Sequence, residues 1–167
     1  MRSGFWGDMA RKHGGFHVLA LAAIVGGVLR LIEPLMERAL NGAALRTFYV
    51  LIDVFLILGF IGFGMAAGRL GKAGAAIGVA GLLMIRIGAV TGVAFYQPGA
   101  ALALFGAAFI GADILQRRAR SRLAAILFIA ALAFGLAALA PNMAMPAALA
   151  AGIAFGLGFA IEGIALL

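Results

Sequence analysis

Apolar segments of about 20 residues follow one another along this chain, separated by short stretches that are basic or rich in proline and glycine. A helix needs about 20 apolar residues to cross the roughly 30 Å hydrocarbon core of a bilayer. The pattern predicts an all-α polytopic membrane bundle that forms a single transmembrane domain over residues 1–167. Its six transmembrane helices are predicted at about 14–33, 47–67, 73–95, 98–116, 122–140 and 147–167.

The end of the first helix is predicted from a proline. Pro34 lacks an amide donor and restricts Glu33 before it, so the helix is expected to stop at this pair. Residues 34–46 mix apolar and charged positions at helical spacing, which predicts a short helix lying in the membrane interface. The basic start of the chain also resembles a signal peptide with a cleavage site at residues 20–22, but the apolar run before it is short, which favours a retained helix.

Composition supports the membrane interpretation and removes several function classes. The chain is 65% hydrophobic and 11% charged, with a mean hydropathy of +1.15, whereas soluble domains carry about 25% charged residues. The absence of cysteine excludes disulfides, thiolate nucleophiles and cysteine-ligated metals. The net charge of +7 does not predict nucleic-acid binding, because no segment is long enough to build a soluble basic face.

Basic residues are distributed unevenly between the predicted loops. Lys and Arg resist translocation, so they collect on the inner side of a membrane. If both termini lie inside, only Arg38 and Arg46 lie in the outer segments, and the inner segments hold Arg2, Arg11, Lys12, Arg69, Lys72, Arg117, Arg118, Arg120 and Arg122. The distribution predicts an N-in, C-in multi-pass protein of the cell (inner) membrane, with the lipid bilayer as its surroundings.

Charges within the apolar segments are the first candidates for a functional site, because a charge at membrane depth is costly unless it is paired or hydrated. Arg86 lies near the middle of the third helix, and Asp53 lies six residues inside the second. These helices are joined by a short turn, so we predict an Asp53–Arg86 pair, with Tyr49 close by because it shares a face with Asp53 at i−4. The pair would either fix helix register or form a polar site or proton-linked switch.

Other charged residues lie nearer the predicted helix ends. Arg30 and Glu33, with Glu37 at i+7, would extend the polar site to the outer surface or reach water by snorkelling. Asp113 and Glu162 are predicted near the inner face as interface anchors. Alternatively, these two carboxylates would together form the inner gate of a transporter.

Small residues four apart allow close helix packing in lipid. Gly152, Gly156 and Ala160 form such a series in the last helix. We expect this face to pack inside the chain or to dock a second copy or a partner membrane subunit. Similar spacings occur elsewhere and are typical of internal packing: Gly64 with Gly68, Gly74 with Gly78, and Gly88 with Gly92.

The residues of hydrolytic or metal chemistry are sparse. Ser3 and Ser121 are the only serines, and both are predicted in inner loops without a base and an orienting acid nearby. His13 and His17 have metal-ligand spacing on a helix but supply only two ligands. We predict that the chain is not an enzyme and holds no metal or other cofactor.

Helix number and chain length resemble those of the substrate-binding membrane subunits of energy-coupling vitamin transporters, and this resemblance concerns architecture only. The preferred interpretation is a helical subunit or scaffold of a membrane complex without its own catalytic centre. The alternative is a small-solute or ion transporter with a polar site around Asp53 and Arg86. A transporter predicts a hydrated cavity touching one of these residues, whereas a scaffold predicts that they pair in a dry contact.

Overall fold

The computed structural model describes the backbone of residues 3–117, 121–140 and 142–167, and the side chains of these ranges from Gly15 onward. The described residues are all-helical and form six helices: α1 (Ser3–Ala39), α2 (Gly42–Ala66), α3 (Arg69–Thr91), α4 (Tyr96–Arg117), α5 (Arg122–Ala137) and α6 (Ala144–Leu166). Five of them, all except α5, are long and apolar enough to cross a membrane. Five such helices indicate a multi-pass membrane protein.

The six helices are arranged as a closed ring. Each helix packs against its neighbours in the chain, and α6 returns to pack on α1. Phenylalanines of α2, α5 and α6 fill part of the centre, with Phe159 as the hub: its ring centroid lies 4.8 Å from those of Phe60 and Phe155, 4.9 Å from that of Phe63 and 5.6 Å from that of Phe128. We call these five residues the aromatic core.

The first helix is longer than predicted at both ends. It begins at Ser3 and continues through Pro34 to Ala39. Pro34 has no N–H to donate to the Arg30 carbonyl, yet the helix persists because neighbouring turns remain bonded and packed. Leu40 N–H bonds the Met36 carbonyl at 2.8 Å, and both side chains pack against the hydrophobic core.

The interfacial helix predicted over 34–46 is therefore wrong. Residues up to Ala39 belong to α1, residues from Gly42 onward belong to α2, and only Leu40 and Asn41 separate the two helices. Gly42 has a positive φ of 52° at this tight connection, a conformation that glycine adopts without steric cost.

Other predicted helix boundaries shift by a few residues. α3 ends at Thr91 instead of about residue 95, because Gly92 adopts the left-handed conformation with φ 74° and its N–H closes on the Gly88 carbonyl. α4 and α6 begin two or three residues earlier than predicted, with Pro98 and Pro146 in their first turns. Proline is tolerated there because the first amides of a helix have no intrahelical acceptor.

Glycines on both sides bring α3 and α4 close together. A Cβ on Gly74 would lie 2.5 Å from the Gly106 carbonyl oxygen, and a Cβ on Gly106 would lie 2.5 Å from the Gly74 carbonyl oxygen. Gly81 and Gly99 repeat this reciprocal contact at 2.5 and 2.7 Å. Close backbone approach increases van der Waals contact between helices in lipid, so these glycines hold the α3–α4 pair together.

The small-residue face of α6 packs on α1 within the chain. A Cβ on Gly156 would lie 2.8 Å from the Gly27 carbonyl oxygen, and a Cβ on Gly27 would lie 2.7 Å from the Ala160 amide nitrogen. Gly152 faces Arg30 of α1. Gly156 and Ala160 thus pack against α1 within the chain. Whether the chain binds a partner through another face stays a prediction.

Candidate functional site

Successive helices run in opposite directions, so the polar residues near helix ends lie at two opposite ends of the ring. At one end, α2 and α4 finish and α3 and α5 begin, next to Arg69, Lys72, Arg117 and Arg122. We call it the basic end. At the opposite end α1, α3 and α5 finish and α2, α4 and α6 begin. A central cavity opens among these helix ends, and we call this the cavity end.

The predicted contact between Asp53 and Arg86 is present. Arg86 Nε donates to Asp53 Oδ2 at 2.6 Å, and Arg86 Nη2 contacts the same oxygen. Arg86 Nη2 also donates to the Tyr49 backbone carbonyl at 3.3 Å. Asp53 is buried between the helices and the Arg86 side chain is about a quarter exposed, so each charge has its partner within protein.

Tyr49 contributes to this pair through its backbone, not through its side chain. Its hydroxyl instead donates to Glu37 Oε1 at 2.6 Å and links α1 to α2 near the cavity end. Tyr49 therefore lies close to the ion pair, as predicted, but its hydroxyl donates a hydrogen bond to the carboxylate of Glu37 instead of that of Asp53.

Arg30 and Glu33 form a second ion pair within one turn of α1, through Arg30 Nη1 and Glu33 Oε2. Glu33 is buried and lies within electrostatic range of Glu37 and Asp53. The three carboxylates and the two arginines thus form one polar region over α1, α2 and α3, in which Arg30, Glu33 and Glu37 adjoin the Asp53 pair.

The central cavity has a volume of about 410 Å³ and is bounded by residues of all six helices. Phe155 of the aromatic core forms part of its wall, together with Leu56 and Ala103. Its polar wall residues are Arg30, Tyr96 and Gln97, and the other wall residues are glycine, alanine, leucine, isoleucine and phenylalanine. Ligand pockets commonly combine such an apolar wall with a few convergent polar groups.

Asp53 and Arg86 are not among the wall residues of this cavity. The polar side chain that reaches it from α1 is Arg30, which was predicted as part of the polar site around Asp53 and Arg86. Tyr96 and Gln97 were not predicted as site residues at all. In the sequence they form part of the predicted break between two helices before Pro98, and such a break does not indicate that they lie beside Arg30.

A small groove of about 70 Å³ lies between α1 and α6, next to the cavity. Glu33, Glu37 and Pro34 line it from α1, and Gly152 lines it from α6. Arg30 and Gly152 border both spaces. Arg30 therefore has the apolar cavity on one side and the carboxylate-lined groove on the other.

At the basic end Asp113 joins α4 to the start of α3. Its Oδ2 accepts from the Gly68 backbone N–H at 2.9 Å and lies 3.7 Å from Arg117 Nη1. Asp113 thus satisfies an amide at the α3 N-terminus, a contact between helices that the i+4 spacing to Arg117 does not reveal.

Glu162 is completely buried near the end of α6, and its role as an interface anchor stays a prediction. Its proposed contact with the basic turn at 117–122 falls partly on residues 118–120, which lie outside the described residues.

Among the described side chains, no group of three or more histidine, aspartate or glutamate residues is placed to hold a metal ion. His13 is one of the two histidines with metal-ligand spacing, and its side chain lies outside the described residues.

No protein-family model, no curated protein and no solved structure matches this chain.

Proposed function

We propose that this chain is a small-solute transporter of the membrane, which binds its solute in the central cavity. The observation that carries the proposal is the cavity itself, about 410 Å³ in volume and bounded by all six helices. Its size falls within the roughly 300–1,000 Å³ of small-molecule sites. The aromatic core lies next to it, so rearrangement of that core is the change expected to open a path toward the basic end.

Arg30 supports a functional role for this cavity. A charged side chain within an apolar helix is expensive and is by default a candidate for solute recognition. Arg30 combines a partner, Glu33, with a place in the cavity wall. Asp53 and Arg86, in contrast, pair outside that wall, and we assign them the structural role of fixing α2 against α3.

A second candidate is the helical subunit or scaffold of a membrane complex. The observation that favours it is the Asp53–Arg86 pair, which is enclosed between helices and does not line the cavity, as expected of a scaffold. Under either proposal the chain has no catalytic centre of its own.

We further propose six membrane crossings with both termini on the inner side of the cell membrane. α5 has only 16 residues, but Arg122 at its start lies at the basic end and Leu139, just after its end, lines the cavity. It therefore runs along the same bundle as α4 and α6. The basic end carries Arg69, Lys72, Arg117 and Arg122 near helix ends, against Arg38 and Arg46 near the cavity end, a distribution that favours the inner side for the basic end.

The topology can be tested with single cysteines, since the chain has none of its own. Thr47→Cys at the cavity end should react with a membrane-impermeant maleimide in intact cells. Ser121→Cys at the basic end should react only after permeabilisation. The reverse pattern would contradict the proposed orientation.

The transport proposal is tested with purified protein in nanodiscs and proteoliposomes. A set of small solutes is screened for thermal stabilisation, and each hit is assayed for flux. Ala100→Phe, which fills the cavity wall, should abolish both effects. Leu115→Phe, on the same helix but 39% exposed and outside that wall, is the matched control. Solute binding without flux, with a stoichiometric partner copurified from native membranes, would favour the subunit candidate.

A further inference from the structure

We infer that the cavity takes an amphipathic compound with one anionic group, a carboxylate in the simplest case, and that Arg30 recognises this group. The inference rests on the proposed function, because it specifies the solute of the same cavity. It depends on the chemistry of the wall, on which edge of the Arg30 guanidinium faces the cavity, and on the position of Glu33.

The wall chemistry favours a solute with an apolar body. Apart from Arg30, Tyr96 and Gln97, the wall residues carry no polar side chain. A strongly polar solute such as a sugar would lose its hydration in this cavity without replacement hydrogen bonds, which costs several kcal/mol for each unsatisfied group. An alkyl or aromatic body has no polar groups to desolvate, so its transfer into the cavity carries no such cost.

The sign of the charge follows from the same wall. Arg30 is its charged residue, and no carboxylate is among the wall residues. Glu33 and Glu37 line the neighbouring groove instead. A cationic head in the cavity would meet the guanidinium, whereas an anionic head would pair with it. Tyr96 and Gln97 are exposed wall residues that offer further hydrogen-bond donors.

The guanidinium edge that faces the wall is suited to a carboxylate. Arg30 uses Nη1 for Glu33. Its other edge, formed by Nε and Nη2, lies beside Gly152, where a built Cβ would be 3.8 and 3.6 Å from these two nitrogens. Gly152 contributes no side chain on this edge, and Tyr96 of α4 hydrogen-bonds the same guanidinium. Two parallel N–H groups on one edge of arginine are the usual fork for a carboxylate.

Glu33 then acts as a competitor for the same guanidinium. Its carboxylate neutralises Arg30 when the cavity is without an anion, which lowers the cost of the charge within the membrane. A bound carboxylate must share Arg30 with Glu33. Removal of the Glu33 charge should therefore strengthen anion binding, although it removes an ion pair of the folded protein.

Three probes with one apolar body and different heads test the charge preference: 4-phenylbutyrate, 4-phenylbutan-1-ol and 4-phenylbutylamine. Binding to the full-length protein in nanodiscs is measured by the shift of its melting temperature over a concentration series, with empty nanodiscs as the control for partition into lipid. We expect the carboxylate to bind at least about tenfold more tightly than the alcohol, because it forms a charge-assisted pair of hydrogen bonds with Arg30. The amine should bind weakest.

Variants assign the preference to Arg30. Arg30→Gln should remove the advantage of the carboxylate over the alcohol, Arg30→Lys should restore part of it, and Glu33→Gln should increase carboxylate affinity several-fold. If Arg30→Gln does not fold, the comparison of Glu33→Gln with the native protein decides the question alone. A purely structural Arg30–Glu33 pair predicts the opposite, weaker binding in Glu33→Gln.

The outcomes separate the two proposals. Equal binding of alcohol and carboxylate, both lost in Ala100→Phe, would overturn the anion assignment and leave the cavity as a solute site. Preferential binding of the amine would also overturn it. If none of the three probes binds and the wider solute screen is negative as well, the proposed function fails together with this inference.

Discussion

Arg86 of α3 donates from Nε to Asp53 Oδ2 of α2 at 2.6 Å and reaches the Tyr49 carbonyl, one helical turn away, at 3.3 Å. The guanidinium thus holds two successive turns of α2 at once. A residue bonded to both a carboxylate and a backbone carbonyl of a neighbouring helix fixes the rotation and the axial position of that helix.

A comparison of single and double variants tests this coupling. Arg86→Ala should lower the free energy of unfolding of the detergent-solubilised protein by about 2 to 4 kcal/mol, because it leaves Asp53 buried without its counter-charge. The double variant Asp53→Asn with Arg86→Gln should recover much of this loss, since neither remaining amide is charged. Equal destabilisation by the single and double changes would show that the two residues are not partners.

Tyr49→Phe should have a small effect and leave the ion pair in place. The hydroxyl that it removes bonds Glu37 near the exposed end of the bundle, and the carbonyl that Arg86 uses is unchanged. We expect a loss of about 0.5 to 1.5 kcal/mol, the net value of one hydrogen bond. A cycle of Tyr49→Phe with Arg86→Gln should give additive losses in thermal unfolding. A large coupling energy would contradict the separation of the two contacts.

Asp113 should matter to stability through the α3 N-terminus more than through its ion pair. Asp113→Ala removes the acceptor of the Gly68 N–H and should cost about 1 to 3 kcal/mol, because that amide is left unsatisfied. Asp113→Asn keeps an acceptor and should cost less.

Arg117→Gln is the control for that experiment. Its nitrogen is 3.7 Å from Asp113 and its side chain is half exposed, so the expected change is below about 1 kcal/mol. Unfolding in a mild detergent is the measurement. A larger loss for Arg117→Gln than for Asp113→Ala would reverse the assignment.

The glycines of the α3–α4 interface should tolerate no side chain. Gly106→Ala places a Cβ 2.5 Å from the Gly74 carbonyl oxygen and the Gly78 nitrogen, so the helices must separate, at a cost of about 1 to 3 kcal/mol. Gly15→Ala is the matched control, because a Cβ there has no neighbour within 4 Å and alanine is the better helix former. Thermal unfolding of both variants should show a loss only for Gly106→Ala.

Hydrophobic segment length predicted the all-helical fold and the approximate position of all six helices, but not the continuation of α1 through Pro34. Proline removes one bond of the helix, and local rules therefore place a helix end there. Packing of Met36 and Leu40 against the core supplies the compensation, and such packing between segments that are distant in the sequence is not visible in a local pattern.

The Asp53–Arg86 pair was predictable because its geometry is nearly local. A short turn joins α2 and α3, the helical rise sets the depth of each residue, and a buried charge requires a partner. The cavity with Arg30, Tyr96 and Gln97 was not predictable in this way. These residues come together only because α6 returns to α1 and closes the ring, which brings Arg30 of α1 and Tyr96 of α4 within hydrogen-bonding reach in the wall of one cavity.

The sequence by itself determined the helical class, the apolar lengths and the residues that must pair, since these follow from periodicity, helix rise and the cost of an isolated charge in lipid. Only the tertiary structure decided which glycine faces pack within the chain and where the interior remains open. Small residues permit close packing with any helix, and ring closure selects one arrangement among those that the same spacings allow.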